Sequence, residues 1–479
     1  MNDSSLPLFC ALASATMLVA TATPVLSQQS TTQVPQQNTT STTSTTTQTI
    51  QPRVRATDLG VRGGAPGAGG PLTGLTDAES AYFAASTEAF TEVEDAAEGL
   101  GPRMNLDSCG GCHAFPAVGG SSPETNPQMG MATANDKMPS FISAHGPVRE
   151  VRFVRNPDGT PDGGVHDLFT VTGREGADGC TLAQPDFETQ VANHNVIFRI
   201  PTPVFGAGLI EQIPDSAIIA NQAANTGRKV QLGIKGRVNF HLPGSTISGM
   251  TNNNGNDGTV ARFGWKAQNK SLLLFAGEAY NVEMGVSNEL FQSERDETAS
   301  CQFKAVPNDF SHLDAAETFD AFSDTEKFAL FMRFAAPPVP SSDTPSTLRG
   351  KATFTNVGCA LCHTPSFTTG NTAVAALRNQ PVNLYSDLLV HDMGPGLADG
   401  VSQGQAGPRD FRTAPLWGVG QRYYFLHDGR TNDLGQAIQA HQSGNVRFGN
   451  ASEANGVILL YNLLPESQKQ DLLNFLRSL

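Results

Sequence analysis

The chain has 479 residues, of which 39% are hydrophobic and 16% charged, with a formal net charge of −14. That acidity excludes the basic face that binding a phosphate backbone needs, so nucleic acid is not an expected partner, whereas a small basic redox protein would be drawn to the surface. The 48 glycines and 30 prolines indicate a loop-rich chain rather than a plain helical bundle.

In chain order, Leu6 to Ala22 form an apolar, small-residue run too short to span a membrane. Val25-Leu26-Ser27 then suits a signal-peptidase site, so residues 1–27 read as an export signal and the periplasm as the destination. The first five residues carry Asp3 and no Lys or Arg, which leaves an uncleaved anchor as the other reading. Residues 28–70 run from a Gln/Thr/Ser stretch into a Gly-rich one and read as a disordered linker. No later run is apolar enough to give a stable membrane span.

Thr76 with Glu79 forms a capping box that predicts a helix running to about Glu98, broken by the segment Gly99 to Met104. Cys109-Gly110-Gly111-Cys112-His113 follows, and Cys359-Ala360-Leu361-Cys362-His363 repeats its spelling. In an exported chain Cys-x-x-Cys-His is the attachment sequence of a c-type haem. The two thiols bond the porphyrin vinyls and the histidine, His113 or His363, ligates the iron. A structural zinc site, a thioredoxin-like thiol pair and two disulfides are the other readings. Each triplet is at most part of a zinc set, and no βαβ pattern surrounds either.

From about residue 150 to 267 short β-like runs appear, such as Val151 to Val154, Val196 to Ile200 and Val230 to Ile234, between Gly, Asn and Asp turns. Cys180 and Cys301 both lie in the middle of an exported chain, which suggests a disulfide, with a reactive thiol pair as the alternative. Ser323 with Glu326 opens another helix that Pro337 stops, and Pro337 to Pro345 reads as an interdomain linker. Further helices are predicted from about Thr431 to His441 and from Pro465 to Leu479, the last with Leu472, Leu476 and Leu479 on one face. The expected fold is therefore mainly α. It has two cytochrome c-like haem domains, residues 71–336 and 346–479, the first carrying an irregular β-containing insertion at about 150–267.

Several motifs taken together carry a family resemblance over about Leu75 to Leu479. They are Gly99-Leu100-Gly101-Pro102, the two haem sequences, Val204-Phe205-Gly206-Ala207-Gly208-Leu209, His391-Asp392-Met393-Gly394 and Phe425-Leu426-His427-Asp428-Gly429-Arg430. The chain resembles the bacterial di-haem oxidoreductases, often labelled thiol oxidoreductases. Through them it resembles the dihaem cytochrome c peroxidases, the methylamine dehydrogenase maturation enzyme and, more distantly, the rubber oxygenases.

The resemblance implies two covalent haems, the N-terminal one reacting with peroxide and the C-terminal one receiving electrons. Asn281-Val282-Glu283-Met284-Gly285 is similar to the peroxidase segment that carries a distal glutamate, though it lacks the proline, and makes Glu283 the candidate acid–base residue. Trp265 matches a tryptophan between the haems, an electron-relay candidate or a packing residue. Counting from His427-Asp428-Gly429, His441 stands where the peroxidases place an axial methionine. It shares a helical face with Leu434 and Ile438, so it is expected to ligate the second iron, with a core role or replacement by Met393 as the alternatives. His391 and His427 are expected to be structural. The peroxidases also hold calcium through carbonyls ahead of the His-x-Gly turn. Here that stretch, Arg422 to Leu426, has neither their threonine nor their proline, so calcium is implied by the resemblance and not by these residues.

The leading expectation is a periplasmic dihaem oxidoreductase reducing peroxide, or activating oxygen, at the N-terminal haem, with electrons from a small redox protein or a quinol-derived donor. A dihaem electron carrier without turnover and haem-dependent oxidation of an organic substrate are the other two readings. A true thiol oxidoreductase ranks low, because no Cys-x-x-Cys lies outside the haem sequences.

Overall fold

Capping residues set the helices of this chain. In the computed structural model, which describes residues 55–240 and 259–479 together with the strand pair Thr246–Ile247 and Met250–Thr251, Thr76 and Glu79 form the reciprocal capping box of helix Asp77–Thr91. Ser323 and Glu326 do the same for helix Asp324–Phe334. The export signal and most of the Gln/Thr/Ser stretch lie outside the described residues, as does part of the predicted insertion.

The first helix stops at Thr91 rather than near Glu98. Asp95 caps its own turn by accepting from the N–H groups of Ala97 and Glu98, and Glu94 N–H donates to the Asp107 carbonyl instead of continuing the helix. The run Val230 to Ile234 is not a strand either. Helix Thr226–Leu232 includes its first residues and ends at Gly233, whose φ of +82° is a left-handed helix cap, and Val230 stays 70% exposed, with no sheet to bury it. Strands Glu150–Phe153 and Val196–Arg199 do form and pair antiparallel. The rest of that region holds the short helices Phe187–Ala192, Ala207–Glu211 and Asp215–Ala223. Among the described residues there are twelve α-helices, and the strands, four residues at most, make only two-stranded sheets. The fold is mainly α.

Two apolar cores are present. The larger gathers Phe83 and Phe90 from the first helix, Leu272, Tyr280 and Met284 from helix Leu272–Met284, and Phe328, Phe331 and Met332 from helix Asp324–Phe334. The smaller is built by helix Pro345–Val357 packed on the terminal helix Glu466–Ser478, with Phe354, Leu472, Phe475 and Leu476 between them. The halves interpenetrate. Leu377, Leu384 and Trp417 join the first core and Ile234 joins the second, and Arg53–Leu479 forms one compact unit.

Residues 55–70, assigned by the sequence reading to the disordered linker, are bound to this unit. Asp58 pairs with Arg477 of the terminal helix at 2.6 Å with both side chains buried, and Arg62 N–H donates to the Gly420 carbonyl. The predicted linker Pro337 to Pro345 is also tied down, Ser341 N–H donating to the Ser478 carbonyl, while Pro345 itself opens a helix behind the Thr344 cap. Among the described residues no helix is long and apolar enough to cross a membrane.

Candidate functional site

Each core surrounds one cavity, and each cavity holds one Cys-x-x-Cys-His sequence. The first, about 1050 Å³ of empty space, is lined by Cys109, Cys112 and His113 together with Glu150, Trp265, Tyr280, Glu283 and Met284. The second, about 1560 Å³, is lined by Cys359, Cys362, His363, Met393, His427 and His441. Trp265 lines both.

The residues fit covalently attached haem. All four thiols are free, and burial, followed by the Glu94 and Glu283 charges, pushes the Cys109 thiol far above its usual range. No neighbouring cation lowers that thiol, as a reactive redox cysteine would need. Among the described residues one group of metal-ligand type comes together, Cys362, Asp387 and His391, and it omits His363. Both His391 nitrogens are occupied, by Asp387 at 3.0 Å and Glu453 at 2.8 Å. That imidazole is the centre of an ion-pair cluster rather than half of a zinc site. Burial works against its charge, but the surrounding Cys362, Asp387 and Glu453 outweigh it and hold His391 well above the ordinary histidine range.

The histidines of the two attachment sequences share one device. His113 Nδ1–H donates to the Gly120 carbonyl and His363 Nδ1–H to the Tyr385 carbonyl, each at 3.0 Å. A carbonyl can only accept, so the proton sits on Nδ1 and Nε2 carries the lone pair a metal requires. His441 has the same arrangement, its Nδ1–H donating to Ala437 at 2.7 Å, at the end of helix Leu434–Ala440 capped by Asp433. Burial lowers all three, His113 and His363 to about 4, and for His363 the nearby His441 adds to the effect. The cavities therefore differ. The first is lined by His113 alone among histidines, the second by His363 and His441 in addition to His391 and His427.

Glu283 reaches the first cavity from the last turn of helix Leu272–Met284. That helix runs from the Ser271 cap to Gly285, whose φ is +74° and where a Cβ would stand 2.3 Å from the Arg103 carbonyl. Only glycine fits this close approach. Asn105 holds the side chain, its Nδ2 donating to Glu283 Oε2 and to Asp167 Oδ1 at 2.9 Å each.

Glu150, on its strand, hydrogen bonds Glu283 and is ion-paired with Arg152. Burial would raise Glu150, but Arg152 and Arg199 outweigh it and the carboxyl is lowered. Burial, then Glu150 and Asp167, hold Glu283 well above the carboxylate range. One proton is shared by the pair and sits on Glu283. No spacing in the sequence joins positions 105, 150 and 283, so the partners of Glu283 had no legible signal.

Trp265 donates its indole N–H to the Ile200 carbonyl at 2.9 Å and presents its ring edge-on to His427, which stacks on Phe411. His427 is lowered to about 4 by burial. Met284 packs its sulfur 3.9 Å from Cys109 Sγ, and Met393 lines the second cavity beside His441. Cys180 and Cys301 are joined in a disulfide across 121 residues, remote from both cavities' lining. A small third cavity between the other two is lined by Arg262, Arg412 and Arg422 with Trp265 and Trp417, and by no carboxylate among the described residues. It offers none of the anionic oxygen ligands that favour calcium.

Solved structures align with the chain, two of them as follows. Hydrazine synthase of Kuenenia stuttgartiensis, pressurised with xenon, aligns at 19% identity over 34% of this chain, which spans 56% of that one, with a TM-score of 0.22. A MauG-like protein associated with microbial copper homeostasis aligns at 18% identity over 58% of this chain and 90% of that one, with a TM-score of 0.28. Likenesses this slight carry no further argument. No curated protein matches the chain. A family model described as "Di-haem oxidoreductase, putative peroxidase" matches residues 154–479, which include the second attachment sequence and the Glu283 helix, while Cys109 to His113 lie ahead of it. The chain belongs to the di-haem oxidoreductase family.

Proposed function

We propose that the protein is an exported, periplasmic dihaem oxidoreductase of the peroxidase type. It is built as two haem lobes, residues 71–336 and 346–479. One haem would be attached at Cys109 and Cys112 and held by His113, and the other would be attached at Cys359 and Cys362 and held by His363 and His441. The reading rests on the difference between the two cavities: one imidazole and a carboxyl pair in the first, paired free-Nε2 imidazoles in the second.

Haem bound by a single protein ligand supplies an iron position at which peroxide or oxygen is reduced, and haem with both faces filled passes electrons. The chain's own residues do the rest. Glu283 carries a proton at the cavity wall and Glu150, held ionised by Arg152, can receive one, so the pair can deliver a proton to a leaving oxygen and be recharged. Asn105 fixes the Glu283 carboxyl, and Trp265, lining both cavities, is the candidate relay between them. Electrons would come from a small basic redox protein or a quinol-derived donor, in keeping with the net charge of −14.

A dihaem electron carrier is the second reading, favoured by the thioether of Met284 in the first cavity, which would fill the position that turnover needs. Rapid mixing of half-reduced protein with hydrogen peroxide separates the two. In the enzyme, Glu283→Gln keeps both haems and slows peroxide-dependent reoxidation by ~10² to 10⁴. A wild type that does not react, or a variant as fast as wild type, rejects the peroxidase reading.

A further inference from the structure

The third cavity, between the two larger ones, gathers positive charge where the chain supplies almost nothing to balance it. Arg412 and Arg422 line both this cavity and the second haem cavity, and each is over nine-tenths buried, at 8% and 9% exposure. Among the described residues neither makes an ion pair. Arg412 Nε–H donates to the Gly264 carbonyl at 2.8 Å, and its backbone N–H donates to Trp265. Arg422 Nη2 donates to the carbonyls of Pro415 and Trp417, while its Nε–H is buried with no partner at all.

The other charged groups do not answer them. Arg262 is already satisfied by Asp215 and four carbonyls. Asp387, the carboxylate that acts on Arg412, is taken by His391 and by the Leu389 N–H. Burial lowers Arg412 and Arg422 to about 10 each, and Arg422 is lowered further by Arg412 itself. Two guanidinium groups lining one cavity without an anion are costly to bury, and a guanidinium fork is matched to a carboxylate.

We propose that Arg412 and Arg422 form a buried anion receptor at the second cavity, and that its occupant is a carboxylate-type anion, supplied either by the haem attached at Cys359 and Cys362 or by a small free ion. The proposal rests on the haem reading of that cavity. With the anion in place the wall between the cavities is electrically balanced, and the Arg412 backbone and side chain hold the Trp265 loop. In its absence the unpaired charge lies beside the second haem and shifts its reduction equilibrium.

The test is a redox titration of each haem in the full-length protein, comparing wild type with Arg422→Gln, which removes the charge, and Arg422→Lys, which keeps it without the fork. If the anion is the haem's own carboxylate, Arg422→Gln leaves that carboxylate under-compensated. The second haem should then become at least tenfold harder to reduce, about 59 mV for one electron. Arg422→Lys should move it by less than half as much on the logarithmic scale, and the wild-type potential should not depend on added chloride or phosphate. If the anion is free, the wild-type potential should fall with added chloride or phosphate, and Arg422→Gln should abolish that dependence.

A second haem whose potential is indifferent both to the variants and to the anions overturns the proposal. Should Arg422→Gln fail to fold, the same comparison is made with Arg412→Lys, and the wild-type anion titration stands on its own. Absence of covalent haem at Cys359 and Cys362 in the wild type would instead remove the haem reading of that cavity, and it shows separately as a mass increment of one haem rather than two in the denatured protein.

Discussion

Glu94 shows how burial, aided by the Asp324, Glu98 and Glu92 charges, gives a carboxyl a working pH range. It lies in the first core with Tyr280 donating to it at 2.8 Å, and burial, partly opposed by that hydrogen bond, pushes it up to about 8. A raised carboxyl favours its neutral form in the fold. Its contribution is fully present below the unfolded value near 4.5 and is lost as pH rises through about 8. At pH 7 the wild type should be less stable than at acid pH by on the order of 3 kcal/mol from this group. Thermal unfolding at several pH values checks it: Glu94→Gln should flatten the decline, though Asp167 at about 6 and Glu294 at about 7 leave part of it. An unchanged slope would show that Glu94 is ionised in the fold. The same logic gives Glu283 its proton, with Glu150 as an added cause.

At the scale of elements, close approach matters more than propensity. Helix Pro345–Val357 meets helix Glu466–Ser478 at Gly350, where a Cβ would stand 2.0 Å from the Asp471 carbonyl oxygen. Gly350→Ala should therefore push the helices apart and cost about 1 to 3 kcal/mol, although alanine is the better helix former. Denaturant unfolding with haem retention measured alongside reads the effect, and a neutral or stabilising result would mean that the helices do not touch there. The two helices opened by a capping box with glutamate, at Thr76 and Ser323, were legible at their starts because the signal is local. The helix that carries Glu283 had no such box, and its end is set by Gly285 against the Arg103 carbonyl, a contact between segments far apart in sequence.

Across the whole molecule, buried charge joins the halves. Asp399 is shared by Arg199 at 2.8 Å and Lys266 at 3.0 Å, all three buried, and the Lys266 ammonium stands 4.1 Å from the centre of the Phe411 ring. Asp58 is clamped to Arg477, which ties the segment ahead of the first helix to the terminal helix. Because each core surrounds its own cavity, the purified protein should carry two covalent haems, read as a doubled mass increment and as loss of one when Cys109 and Cys112 are both replaced by Ala. A colourless, zinc-containing preparation would reject the haem reading.

The two Cys-x-x-Cys-His sequences, the two helix caps and the mainly α class were readable from the chain, because each depends on residues within a few positions of one another. Other features came only with tertiary structure. The pairing of Glu150 with Glu283, the meeting of Arg412 and Arg422, the placing of Trp265 against both cavities and the capture of residues 55–70 all join residues far apart in sequence. The reason is physical: a shared proton or an unbalanced charge arises only when groups are brought together and removed from water, and neither distance nor burial is written in local spacing.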